Sequence, residues 1–229
     1  MLRFAKTLTL TALACVLLLT LPSMAGASTV LQLSEDGGAF TTVATVGSLT
    51  PVVLSGSFND FSFTFFGAST DNSATLTDLL SSTTSVRNNS TGSHTLSLRI
   101  SSQDFTLPSA LTVRVESGMG GSDSGLVTMT FQAYADKNNI LAGTADYTNG
   151  LQTCVFNVST CDTGSAAGNF TKTAGVYSLT SVANLTLSGG GTANYSSHVN
   201  VTNVPEPDAL VLVGTGLLGL AGLFKQKKS

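Results

Sequence analysis

The feature that most constrains this chain is an alternation of apolar and polar residues, with a period of two, that recurs from residue 28 to residue 203. In residues 94–100, Leu96, Leu98 and Ile100 alternate with Ser97 and Arg99. Successive side chains of a strand point to opposite faces, so this pattern turns one apolar row toward a core and one polar row toward water. The same behaviour appears in residues 111–116, 126–135, 175–180 and 182–187, and the recurring residues are Val, Thr, Leu, Phe and Ser. Phe61, Phe63 and Phe65 fall on one face of a strand over residues 60–66. No helical period is sustained. The looser stretch 71–82 leaves room for a helical turn around Leu76, Leu79 and Leu80.

Turn chemistry divides these runs. Asp36-Gly37-Gly38, the polar stretch 87–93, the glycine-rich stretch 118–125, Asp136-Lys137-Asn138-Asn139 and Ser188-Gly189-Gly190-Gly191 are all read as connections. Residues 140–146 and 153–158 are read as further strands, and 182–187 and 192–201 as a closing hairpin across the glycine turn. Roughly ten to twelve short strands without helices predict an all-β domain of two antiparallel sheets packed face to face, in a jelly-roll-like sandwich. A β-barrel or a β-helix is the alternative, although no fixed repeat of solenoid length occurs.

The two ends of the chain are different. Arg3 and Lys6 precede an apolar run over residues 7–21, and Ala25-Gly26-Ala27 supplies small residues for cleavage, so residues 1–27 read as a secretory signal and the mature chain is expected to begin at Ser28. Ala12-Leu13-Ala14-Cys15 loosely matches a lipidation site, but the apolar run continues past Cys15 to Leu21. At the other end, residues 209–224 carry no charge. As a helix they extend about 24 Å, short for a hydrocarbon core of about 30 Å. Snorkelling of Lys225 and local thinning of the bilayer make up the difference. Lys225, Lys227 and Lys228 place the C-terminus on the cytoplasmic side. Both ends therefore put residues 28–203 outside the cytoplasm.

Val204-Pro205-Glu206-Pro207, the short glycine- and leucine-rich span and the terminal lysines together resemble the PEP-CTERM sorting domain of exported bacterial proteins. The family's basic end more often uses arginine; lysine keeps the charge. The resemblance covers residues 204–229 and implies recognition by exosortase, an integral-membrane, cysteine-protease or transpeptidase-like enzyme, near Pro205, Glu206 and Pro207. It also implies a transient stay in the inner membrane, then release or transfer to the surface, in bacteria that produce exopolysaccharide. Physically, the two prolines fix φ and remove backbone donors, so the junction is expected to be extended and open to a protease cleft.

Residues 28–203 hold five basic residues (Arg87, Arg99, Arg114, Lys137 and Lys172) against eleven acids, a formal charge of −6. An acidic, aromatic-poor surface argues against nucleic acid as a partner. Cys154 and Cys161 enclose six residues and are expected to form a disulfide in an oxidising compartment; a zinc or redox pair would need ligands that are not near in sequence. There is no nucleophile elbow, no zinc-protease motif and no phosphate loop. His94 and His198 read as surface residues, and nothing in the spacing of Asp60, Asp104, Glu116 and Asp146 brings them together as a catalytic pair. Calcium would find oxygen donors at 71–73 and 121–123, without an EF-hand pattern.

No enzyme activity, cofactor or metal is therefore expected. The mature domain reads as structural or adhesive. Two alternatives stand beside this: a glycan-binding or glycan-active module using Tyr134 or Tyr147, and a single-span membrane protein that is never processed.

Overall fold

The computed structural model describes residues 28–47, 50, 52–66, 68–154, 160–173 and 175–204. The expected signal with its cleavage site at Ala25 and Ala27, and the tail with Pro205, Glu206, Pro207, Lys225, Lys227 and Lys228, lie outside the described residues. Among the described residues there is no helix long and apolar enough to cross a membrane.

Among the described residues twelve strands follow one another: β1 (Ser28–Glu35), β2 (Thr41–Gly47), β3 (Val53–Phe58), β4 (Phe61–Phe66), β5 (Ala68–Asn72), β6 (Leu76–Asn88), β7 (His94–Phe105), β8 (Thr112–Asp136), β9 (Tyr147–Thr148), β10 (Gln152–Cys154), β11 (Thr160–Thr171) and β12 (Tyr177–Asn203). All the pairings are antiparallel, and the strands form one continuous sheet. Two of them hold the rest together. The first half of β12 lies between β7 and the second half of β8, whereas its second half lies between β6 and the first half of β8. One layer therefore runs β2-β1-β7-β12-β8, with β9 and β10 on the outer edge of β8. The other runs β3-β4-β6-β12-β8-β11, with β5 beside β4 along β6.

The apolar rows of the two layers meet in a single core. Leu31, Leu33, Leu96, Leu98, Ile100, Met129, Phe131 and Leu185 come from the first layer; Phe61, Phe63, Leu79, Val86, Val113, Val115, Val199 and Val201 come from the second. The alternation of the sequence explains this division, since one residue in two along each strand must face inward. A file of rings closes one end: Tyr147 lies 5.7 Å from Phe170, Phe170 6.1 Å from Tyr177, and Tyr177 5.6 Å from Phe105. Lys172 is buried beside them. Its ammonium lies 5.0 Å from the Tyr177 ring and donates to the carbonyls of Thr106 and Pro108. Desolvation lowers its pKa from the ordinary lysine value.

The glycine-rich stretches do not behave as turns. Residues 118–125 lie inside β8 and residues 188–191 inside β12, so the expected hairpin of 182–187 with 192–201 does not form. Leu187 pairs with Leu126 and Thr192 with Ser124, so both halves of β12 follow the same neighbour around a corner, with residues 188–191 accommodated as an irregularity. The reason is close approach. A Cβ at Gly121 would overlap the Asn194 carbonyl oxygen, and one at Gly189 would overlap the backbone of Thr91. Glycine permits two long strands to bend together there.

Three smaller expectations also change. Residues 71–82 contain no helical turn; β5 and β6 pair there, Asp71 opposite Asp78, and only Leu79 of the three leucines enters the core. Residues 140–146 form a looped connection instead of a strand, held by the side chain of Ser178 on the Ile140 carbonyl (2.7 Å) and the Ala142 N–H on Ser101 (2.7 Å). β11 lacks apolar alternation and escapes a pattern search, but its backbone pairs with β8 from Thr112 to Ser122.

Candidate functional site

The outward face of the first layer is built from three rows of side chains that cross β1, β7, β12 and β8 in register. They are Ser34-Ser97-Asn184-Thr130, Gln32-Arg99-Val182-Gln132 and Val30-Ser101-Thr180-Tyr134. Neighbours within a row bond to one another, as cross-strand pairs on one face should. Arg99 Nε donates to Gln32 Oε1 at 2.7 Å, Asn184 Nδ2 to Thr130 Oγ1 at 3.1 Å, and Ser101 and Thr180 share a hydrogen bond of 2.8 Å. Gln32 and Gln132 extend the rows to Thr42 and Thr148.

Arg99 is the centre of this face. Its guanidinium carbon lies 3.9 Å from the centroid of the Phe40 ring, an arrangement that holds the planar group still and leaves edge N–H groups available. Burial lowers its pKa from the ordinary arginine value. It has no ion pair among the described residues, in a region with formal charge −6. Tyr134 stands in the next row, its phenol pKa raised by desolvation. Ser34, Val30, Ser101 and Thr180 of these rows are buried, Ser101 accepting the Ala142 N–H of the 140–146 connection, so the partly exposed groups include Gln32, Phe40, Arg99, Gln132 and Tyr134. Amide, guanidinium and aromatic groups suit hydroxyl-rich or carboxylate-bearing ligands.

The remaining tyrosines are not available. Tyr147 turns inward against Phe170 and donates to Asn149 Oδ1, while Tyr177 and Tyr195 are buried. Of the two tyrosines read as a glycan platform, only Tyr134 lies on the outer face.

The four carboxylates considered as a catalytic set each have partners of their own, although Asp104 and Asp146 both bond the 137–139 turn. Asp104 bonds Asn139 at 2.6 Å, Glu116 lies 3.6 Å from Arg114 and accepts from Ser165, and Asp146 lies 3.0 Å from Lys137, which lowers its pKa. The fourth, Asp60, belongs to a cluster that sequence reasoning missed. The β1–β2, β3–β4 and β6–β7 connections converge at one end of the sandwich and gather Glu35, Asp36 and Asp60 around His94. His94 Nδ1 lies 2.7 Å from Asp36 Oδ2, and its Nε2 3.6 Å from Asp60 Oδ2. The Asp36 pKa is lowered first by the Thr95 N–H and then by His94; that of His94 is raised, chiefly by Asp36. The separations of 58 residues to Asp36 and 34 to Asp60 explain why a linear motif search finds nothing.

Cys154 and Cys161 are joined in a disulfide with Cα atoms 6.2 Å apart. It links β10 to β11, the two strands on the outer edge of β8. His198 lines a cleft of about 440 Å³ with Met119, Asp162, Ser165 and Ser196, away from His94. Of the calcium candidates, Asp71 donates its N–H to Asp78, and Asp123 lies opposite Ala193 within the sheet.

β12 ends at Asn203, and residues 203–226 match the family model described as the PEP-CTERM protein-sorting motif. The chain carries a PEP-CTERM sorting motif. The sorting motif begins where the sheet ends, with only Val204 between β12 and Pro205. No curated protein matches the chain. Among solved structures, it is similar to the adhesin domain of Epf from Streptococcus pyogenes, at 11% identity over 78% of this chain and 60% of that one, with a TM-score of 0.37. It is also similar to TmCBM61 in complex with β-1,4-galactotriose, at 12% identity over 52% and 71% of the two chains, with a TM-score of 0.29. The K1 cleaved adhesin domain of Lys-gingipain from Porphyromonas gingivalis W83 aligns at 11% identity over 53% and 75%, with a TM-score of 0.31. At TM-scores this low, none of these likenesses carries a statement about function.

Proposed function

We propose that this is an exported protein of the cell surface or extracellular matrix, sorted and cleaved by exosortase through its PEP-CTERM motif, with a mature sheet domain that is structural or adhesive. The sequence of events is secretion under the N-terminal signal, arrest in the inner membrane by residues 209–224 with Lys225, Lys227 and Lys228 inside, and cleavage near Pro205-Glu206-Pro207. The supporting observation is the placement of the motif. Every strand among the described residues lies before Pro205, so a cut there removes residues 209–224 and leaves that sheet whole. In cells that lack exosortase, the chain should stay in the inner membrane with its tail attached; equal release from such cells contradicts the reading.

A second reading is favoured by the outer face of β1, β7, β12 and β8. Its stacked Arg99 and Phe40, flanked by Gln32, Gln132 and Tyr134, match the chemistry of an extracellular polysaccharide. Arg99→Ala should weaken retention on the producer's own polysaccharide at least tenfold. Unchanged retention in both Arg99→Ala and Tyr134→Ala removes this reading and leaves the structural one. The third reading, an unprocessed single-span protein, is supported if the tail persists on the native protein.

A further inference from the structure

We propose that the end of the sandwich where the β1–β2, β3–β4 and β6–β7 connections meet binds one divalent transition-metal ion of the zinc class. Glu35, Asp60 and His94 are its protein ligands, and Asp36 positions the imidazole.

The geometry is that of a ligand set. One donor atom from each of Glu35, Asp60 and His94 lies within 4.8 Å of the other two. Around an ion that binds nitrogen and oxygen at about 2.0–2.2 Å, tetrahedral neighbours stand about 3.3 Å apart. His94 Nε2 and Asp60 Oδ2, at 3.6 Å, are already near that spacing, whereas Glu35 Oε1 lies 3.7 Å from the Nδ1 side of the ring. Three protein ligands leave the fourth position for water or for a group on a partner.

The imidazole is presented for this role by its other nitrogen. Nδ1–H donates to Asp36 Oδ2 at 2.7 Å, while Asp36 Oδ1 accepts the Thr95 N–H at 2.8 Å. With the proton on Nδ1, Nε2 keeps its lone pair for a metal, 3.6 Å from Asp60 Oδ2. A carboxylate behind a histidine is the usual means of fixing the tautomer and raising the basicity of a metal ligand.

The frame is held by backbone. The Asp36 N–H donates to the Thr95 carbonyl at 2.9 Å, which ties the β1–β2 turn to β7, and the Asn89 N–H donates to the Asp60 carbonyl at 2.8 Å, which ties the β3–β4 turn to the end of β6.

Charge points to a cation independently of the spacing. The Glu35 side chain is only 10% exposed, yet its hydrogen bond from the Asp60 N–H is long, at 3.5 Å. Its one cationic neighbour among the described residues is His94, at 3.7 Å, and no Lys or Arg pairs with Glu35, Asp36 or Asp60 there. A nearly buried carboxylate in a group of three that shares one imidazole is left short of positive charge, and a dication supplies it. The nitrogen donor selects a transition ion over calcium or magnesium, which prefer all-oxygen sites.

The test uses the full chain in detergent, in a Cys15→Ser background, stripped with a chelator and titrated with zinc chloride or calcium chloride near pH 7.5. One saturable zinc equivalent is expected, lost at least tenfold in His94→Ala and in Asp60→Asn, with strand content unchanged by circular dichroism. Asp36→Asn should weaken zinc 10- to 100-fold. It should also convert the single Nδ1–H tautomer of neutral His94, read from long-range ¹⁵N–¹H NMR, into a mixture. The proposal is overturned by the absence of a saturable zinc equivalent, by binding unchanged in His94→Ala, or by calcium binding as tight as zinc binding and indifferent to His94.

Discussion

The tail and the sheet domain carry their information in opposite ways. The tail depends on order: the Pro205-Glu206-Pro207 motif, an uncharged span and lysines within 26 residues. The family match falls on this segment alone. In the domain, by contrast, 99 residues separate Asn88 from its partner Leu187, and 91 separate the bonded hydroxyls of Thr95 and Thr186. Information spread over such distances is disrupted by single changes in packing, whereas the tail should lose its role through local changes that leave the fold untouched.

The largest effect expected within the domain is at the corner. Gly121→Val forces a branched side chain into the Asn194 carbonyl and should cost well over about 3 kcal/mol, at the upper end of overpacking effects. A urea melt of the full chain reads this out, and a loss below about 1 kcal/mol would mean the corner is more open than described. Phe131→Ala removes a fully buried ring of the first layer and should cost about 3–5 kcal/mol. Exporting the same variant asks whether sorting requires the fold: processing at wild-type yield would separate the two regions completely.

Replacing Cys154 and Cys161 with serine should cost about 2 kcal/mol, because the loop closed by the disulfide is short. A change in melting under oxidising but not reducing conditions is the check. The smallest effect is at Asp78, whose pKa is raised above the ordinary 3.8 by desolvation, with the repulsion of Asp71 adding to it and the Asp71 N–H opposing it. The folded chain then holds its proton to higher pH than the unfolded chain, so stability falls as pH rises from 3.8 through the raised value. Asp78→Asn should flatten stability over that window; an unaltered pH profile shows that Asp78 is better solvated than its burial implies.

Strand existence was legible in residues because half-buried strands must alternate, and β1, β4, β7 and the second half of β8 follow the rule closely. What was not legible is where strands end. Gly118 to Gly125 and Ser188 to Gly191 carry the composition of turns, and only the facing backbones of β8 and β12 show that glycine serves close approach there. β11 was missed because an edge strand with alternating exposed positions needs no apolar row. Arg99 was read as an outward residue, but its contact with Phe40 joins β7 to the β1–β2 connection and has no linear signature. His94 was read as an isolated surface residue for the same reason; its three carboxylates arrive from turns that only the fold brings together.

The central claim, that a disposable tail delivers an intact sheet, is tested most directly by the intact mass and membrane fractionation of the native protein, with and without alanine at Pro205, Glu206 and Pro207. The account predicts a released chain running from Ser28 to about residue 206 in the wild type, and a membrane-bound chain that keeps its tail in the variant, with the same thermal stability in both. A wild-type chain that retains residues 209–224 in the membrane, indistinguishable from the variant, would contradict it.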